Sequence, residues 1–384
     1  MKPPLFFLPI ILGLGLSSPL LGADSHLVYF GCYTNAKSGS KGIYVSRFDQ
    51  TTGQLSAPEL AAETTNPSFL AIHPSKKFLY AVGEMTSKEG KGGALSAFEI
   101  QQPSGKLKLL NQSSCVGKGP CHVSTDRTGK MAMVANYSSG SVASFSIGPD
   151  GRLSEAVSFH QNSGTGPNAK RQEGPHGHSI NPDLANRFAF SCDLGTDEVL
   201  IYRMDPDKGA LTVHGKAHVP PGSGPRHLAF HPNGKFVFVN NEMLMTATSF
   251  AYDVTKGALK EIETVSTLPA EDRSKTGFST AETVAHPNGK FVYVSNRTHD
   301  TIAVFKCNPD NGKLQLLETV GAGGQVPRNF ALDPSGRWML VAHQDSHTVA
   351  VFSVDGETGK LKSTGQTIPV GGPVCVRFLT LGSN

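Results

Sequence analysis

Between residues 222 and 242 the chain reads GSGPRHLAFHPNGKFVFVNNE, which puts Arg226 at the mouth of one apolar run and Asn241 and Glu242 at the end of the next. A guanidinium can hold a carboxylate, a phosphate or a developing oxyanion. A carboxylate can take a proton from water. Sixteen residues separate Arg226 from Glu242, so only a defined pairing of the two runs brings them together.

That pairing is legible because the stretch recurs. Related copies are NPSFLAIHPSKKFLYAVGE from 66, GPCHVSTDRTGKMAMVANY from 119, GPHGHSINPDLANRFAFSCDL from 174, STAETVAHPNGKFVYVSNR from 279 and VPRNFALDPSGRWMLVAHQ from 326. Taking Pro74, Arg127, Pro182, Pro232, Pro287 and Pro334 as equivalent gives steps of 53, 55, 50, 55 and 47 residues. A period near fifty built from strands and turns predicts propeller blades of four antiparallel strands. Second runs such as FVFVN and FVYVS are apolar on both faces, as a blade wedged between two neighbours requires. The first segment, LVYFGCYT with GIYVSRFDQTTGQL, lacks an inner strand, and the last, GGPVCVRF, is an inner strand lacking the rest. Joined, they complete a seventh blade and remove the open sheet edges. An open array, or six blades with stray ends, would leave those halves unexplained.

In an antiparallel pair the start of one strand lies beside the end of the next. One rim of the ring therefore carries Ser68, Cys121, His176, Arg226, Ala281 and Arg328, followed by Phe69, His122, Gly177, His227, Glu282 and Asn329. Beside them come the second-strand ends Glu84, Tyr137, Leu194, Glu242, Arg297 and Gln344, preceded by Gly83, Asn136, Asp193, Asn241, Asn296 and His343. These positions differ from copy to copy while the cores stay alike, the pattern of one site assembled on a repeated scaffold. The candidates are His176, Arg226 and Glu242 for catalysis, with Arg297, Glu282, Arg328 and Asn241 for substrate. The competing reading makes the arginines rim charges paired with Glu242 and Glu282, of little energetic weight. His178 reads as a packed residue, and His73, His231 and His286 as structural parts of recurring turns.

Residues 1–23, MKPPLFFLPIILGLGLSSPLLGA, have the layout of a secretory signal, which leaves 24–384 as one propeller domain. An uncleaved anchor is the alternative, although Pro9, Gly13 and Gly15 shorten the apolar run. The expected mature chain is exported, periplasmic or extracellular, with no membrane attachment. The formal charge of +4 is small and scattered, which argues against nucleic acid. Of six cysteines, Cys115 and Cys121 flank a turn and are the one pair considered for a disulfide; the others read as core. Neither CxxC nor HExxH occurs, so zinc is not indicated.

The ordered segments GPHGHSINPD, SCDLGTDEVLIYRMD, GPRHLAFHPNGKFVFVNNE and AETVAHPNGKFVYVSNRTHDTIAVF resemble the seven-bladed propeller lactonases. That family includes propeller-type 6-phosphogluconolactonases and fungal carboxymuconate lactonising enzymes. The resemblance runs from GCYT at 31 to GGPVCVRFL. It implies an active-site His at His176, Arg at Arg226, Glu at Glu242 and a substrate-binding Arg at Arg297. The expected reaction is hydrolysis of a small lactone bearing an anionic group, most simply 6-phosphoglucono-δ-lactone, without a cofactor. Glu242 would act as base on water, Arg226 would hold the carbonyl oxygen, Arg297 would bind the anion, and His176 would orient water or protonate the leaving alkoxide. No Gly-x-Ser-x-Gly elbow is present, in keeping with a route lacking a covalent nucleophile. Alternatives are a muconate-type cyclisation, a calcium-assisted lactonase of the six-bladed kind using Glu242 and Asp193, and a non-catalytic binding propeller. The single Trp, in RWMLVAH, falls within an apolar run and supplies no exposed aromatic rim.

Overall fold

Short β-branched and aromatic runs separated by Gly-containing turns favour strands. The computed structural model describes residues 25–85 and 93–381 and is built from such strands. The proposed signal segment lies outside the described residues. Among those residues the helical content is a single 3-10 turn, Ala270–Asp272.

Seven antiparallel sheets form the ring. In blade 4 the inner strand Pro225–Phe230 pairs with Phe236–Asn241, which pairs with Thr246–Asp253 and then the outer Ala258–Ser266. Blades 1, 2, 3, 5 and 6 repeat this order from inner strands Leu70–Ile72, Pro120–Thr125, Gly177–Pro182, Ser279–Ala285 and Pro327–Leu332. Blade 7 is composite, with Pro373–Thr380 as inner strand beside Ser25–Cys32 and then Gly42–Asp49. Its outer strand is split into Gln54–Leu55 and Glu59–Glu63. Both chain ends therefore close the ring in one sheet.

The second strands Met131–Asn136, Phe188–Asp193 and Phe236–Asn241 are buried along their whole length. Packing between blades follows from this, as where Met131, Met133 and Ala135 meet Ile180, Ala189 and Tyr202. Polar staples recur at the same joints. His73, His231 and His286 each place Nε2 against the turn carbonyl of the next blade, at Gly129, Gly289 and Gly336, within 2.7, 2.8 and 2.9 Å. Tyr29, Tyr80 and Tyr293 donate their hydroxyls in the same sense to Gly105, Gly151 and Gly359.

The third copy is displaced by two residues from the register expected from its proline. The amide of Asp183 donates to Phe188 O just as those of His231 and Asp126 donate to Phe236 O and Met131 O. Leu184 therefore occupies the proline slot, and Pro182 ends the inner strand. The inner-strand equivalent of Arg226 is then His178, because Gly177 faces Asp193 as Pro225 faces Asn241. His176 stands before the strand. All six cysteines are free and buried, Cys115 and Cys121 included.

Candidate active site

Antiparallel pairing brings Arg226 and Glu242 together at the channel mouth, with Arg226 Nε donating to Glu242 Oε2 at 3.0 Å. Arg297, at the end of the second strand of blade 5, reaches the same oxygen at 2.9 Å and donates to Thr280 O at 3.0 Å. A third cation comes from the connection between blades 2 and 3: Arg171 Nη2 donates to Glu242 Oε1 at 2.7 Å and to the Tyr137 hydroxyl at 3.2 Å. Glu242 is 5% exposed. Burial alone would raise its carboxyl, but the charges of Arg297, Arg226 and Arg171 outweigh that and hold it at about 2. Burial in turn pulls the Arg297 guanidinium down to about 10. Such a carboxylate is ionised at any working pH and is a weak base, so the expected role of Glu242 as proton acceptor is not what this environment favours.

Arg226 is 2% exposed and bonds Ala281 O beneath the carboxylate. Arg297 is the more open of the two, with 12% of its side chain exposed against 3% for Arg226, and its buried Nε has no partner among the described residues. His176 lies at the same mouth. Its ring stacks on Tyr137 with centroids 4.6 Å apart, and its Nδ1 lies 3.1 Å from Tyr137 O. Its Nε2 faces the exposed carboxylate of Glu173 at 3.4 Å, so the ring is held between a backbone carbonyl and an acid of the same connection. The backbone amide of His176 donates to buried Asp193, which also accepts from Asn162 and the Gly195 amide. A continuous chain of contacts thus runs from His176 through Tyr137, Arg171 and Glu242 to Arg297.

None of the other three expected substrate contacts touches the Glu242 carboxylate, although Arg328 shares a small cavity with Arg226. Asn241 is fully buried and spends its amide on Thr246 and Thr248 of its own sheet. Asn136 and Asn296 bond Ser141 and Thr301 in the same way, so this position belongs to the repeat. Glu282 sits deeper, held by His227 at 2.9 Å and by Asn329. It faces a cavity of about 360 Å³ lined also by the turn residues Pro287 and Pro334, away from Glu242. Arg328 donates to Tyr33 at 3.0 Å, and Tyr33 donates to Glu84 at 3.0 Å. Glu84 and Arg328, with Arg226 and His178, border a cavity of about 10 Å³, the space of one water. Burial drives His178 well below its usual range, so it is a neutral channel residue, as its packed reading requires. Arg171 and Tyr33 were not among the expected site residues: Arg171 lies outside the repeat, and Tyr33, the blade 7 counterpart of Glu242 because Cys32 faces Pro373 as Asn241 faces Pro225, belongs to the copy split between the chain ends, which the comparison of rims left out.

Comparison with known proteins decides the family. The model of the lactonase family, 7-bladed beta-propeller, matches residues 27–378. The chain belongs to the seven-bladed β-propeller lactonase family. This lactonase is 37% identical to the 6-phosphogluconolactonase of Bacillus subtilis over 354 residues, covering 92% of this chain and 98% of that relative. Its fold superposes on a crystal structure from Bacteroides fragilis, provisionally named a 6-phosphogluconolactonase, with a TM-score of 0.86 and 34% identity over 94% of this chain and all of that one. The periplasmic gluconolactonase PpgL of Pseudomonas aeruginosa gives 0.84 and 32% over 92% of this chain and 99% of that one. Among the described residues of the lactonase no group of three His, Cys, Asp or Glu converges as a metal cage. What the mouth brings together is an imidazole beside an exposed acid and a fixed anion that aligns three arginines.

Proposed function

We propose that this lactonase hydrolyses a sugar δ-lactone at the mouth around Glu242, with 6-phosphoglucono-δ-lactone as substrate. The observation that carries the reading is the convergence of Arg171, Arg226 and Arg297 on one buried carboxylate, beside an imidazole of fixed orientation. Water displaces the exposed Glu173 carboxylate from His176 Nε2, 3.4 Å away, and adds to the carbonyl carbon as Nε2 takes its proton, while the oxygen that becomes anionic is held by Arg297. Collapse breaks the bond from the carbonyl carbon to the ring oxygen. The imidazolium returns its proton to that oxygen, giving the hydroxy acid. Glu242 remains ionised throughout and positions the guanidinium groups.

The name of the Bacillus relative supports the phosphorylated substrate. The unphosphorylated lactone is a second reading, favoured by the name of the Pseudomonas protein and by the signal-like residues 1–23. We propose with it that those residues direct export. Amino-terminal sequencing of the protein from fractionated cells should find a chain starting near Asp24 outside the cytoplasm; an intact Met1 in the cytosol would refute export. Substrate choice is tested by comparing turnover of glucono-δ-lactone and its 6-phosphate, each corrected for spontaneous opening. A higher kcat/KM for the phosphate supports the first reading, and no acceleration of either lactone overturns both.

A further inference from the structure

Arg171 stands on the connection 162–176, outside the repeated strands. Its neighbour Gln172 is fully buried and fixes the base of that connection, donating to Leu194 O at 2.9 Å and Asp197 Oδ1 at 2.8 Å and accepting from the Asn168 amide at 3.1 Å. From this anchored base the arginine reaches over the mouth, with 44% of its side chain exposed, against 3% for Arg226 and 12% for Arg297. It is therefore the cation that an incoming solute meets first. Its Nη2 makes both side-chain contacts, to Glu242 and Tyr137, and its other guanidinium nitrogens bond no described group.

The charge at this point is unbalanced. Three guanidinium groups meet on the one carboxylate of Glu242, 3 − 1 = +2 at that contact, while the exposed carboxylate of Glu173, on the same connection as Arg171, faces His176 Nε2 at 3.4 Å. Arg226 and Arg297 both hold Oε2, whereas Arg171 alone holds Oε1. If Arg171 turned away, Glu242 would keep two cations, so the exchange leaves no buried charge unpaired. An anion with two oxygens offers the guanidinium fork a bidentate partner in place of a one-point contact. A neutral lactone offers the Arg171 fork no such partner.

We infer that Arg171 is the specificity-determining residue of the mouth: it takes the phosphate or carboxylate of an anionic lactone and gives up Glu242 to do so. The turnover part of this inference rests on the lactonase reading; the binding part does not. Inorganic phosphate is titrated calorimetrically into the full chain and into Arg171→Gln and Arg171→Lys, and kcat/KM is measured for glucono-δ-lactone and its 6-phosphate. Phosphate binding should weaken by ~10-fold or more in Arg171→Gln and by less in Arg171→Lys. The preference for the phosphorylated lactone should fall by a similar factor. Phosphate affinity the same in all three proteins overturns the inference, even if lactones are hydrolysed. Arg171-dependent phosphate binding without any lactone turnover would instead refute the proposed activity and leave the anion site standing.

Discussion

At the residue scale, Glu242 works by staying charged. Its folded value of about 2 lies below the ordinary 4.5, so its contribution to stability is complete above pH 4.5 and is lost as pH falls through 2. The shift corresponds to about 3 kcal/mol. Denaturant unfolding between pH 6 and pH 2 should show this loss in the wild type and a flatter profile in Glu242→Gln; identical profiles would mean that the arginines do not bind the carboxylate. At neutral pH, Glu242→Ala strands buried cations and should cost about 3 to 5 kcal/mol of stability as well as activity. His176→Ala should keep the fold and lower kcat by ~100-fold or more, the usual scale of general acid–base help. The proposal gives the base role to His176 rather than Glu242 because sequence gives the types of neighbouring residues, not how many cations meet on one carboxylate.

At the element scale, the hairpin of inner and second strand does two things at once: it packs blade on blade and sets residues at its open end on the rim. The turns at its closed end are stapled across blades by histidine. Gly289 has a φ of 73°, in the left-handed region, and a Cβ there would meet the His231 ring at 2.7 Å. Gly289→Ala should therefore destabilise by about 1 to 3 kcal/mol, seen as a lower denaturation midpoint. The recurrence of these turns made the hairpins, their order and the structural role of His73, His231 and His286 legible from sequence. The slip of two residues in the third copy arose because its proline precedes the turn residue Asp183, whereas Pro232 follows His231. Asn241 was misread as variable for a related reason: Asn136, Asn241 and Asn296 share one hydrogen-bonding task that differing neighbours obscured. Arg171 lies on a connection with no counterpart in the other copies, so no periodicity could point to it.

At the scale of the whole molecule, closure through both chain ends fixes the distances across the mouth, since Arg328 of blade 6 bonds Tyr33, which follows a strand of blade 7. Removing residues 373–384 deletes the inner strand of that blade and exposes Ser25–Cys32 as an unpaired edge. The truncated chain should lose cooperative unfolding or aggregate, as circular dichroism melts and size-exclusion chromatography would show; a monomer with the wild-type melt would refute closure as a source of stability. The proposed reaction depends on the ring in turn, because His176, Glu242 and Arg297 come from three different blades or their connections. The most direct measurement is kcat/KM of Arg297→Ala on the preferred lactone, with the fold checked by its melt. Loss of an oxyanion donor should lower it by ~100-fold or more with the fold intact. A folded variant that hydrolyses the lactone at the wild-type rate would contradict the placement of the active site at this mouth.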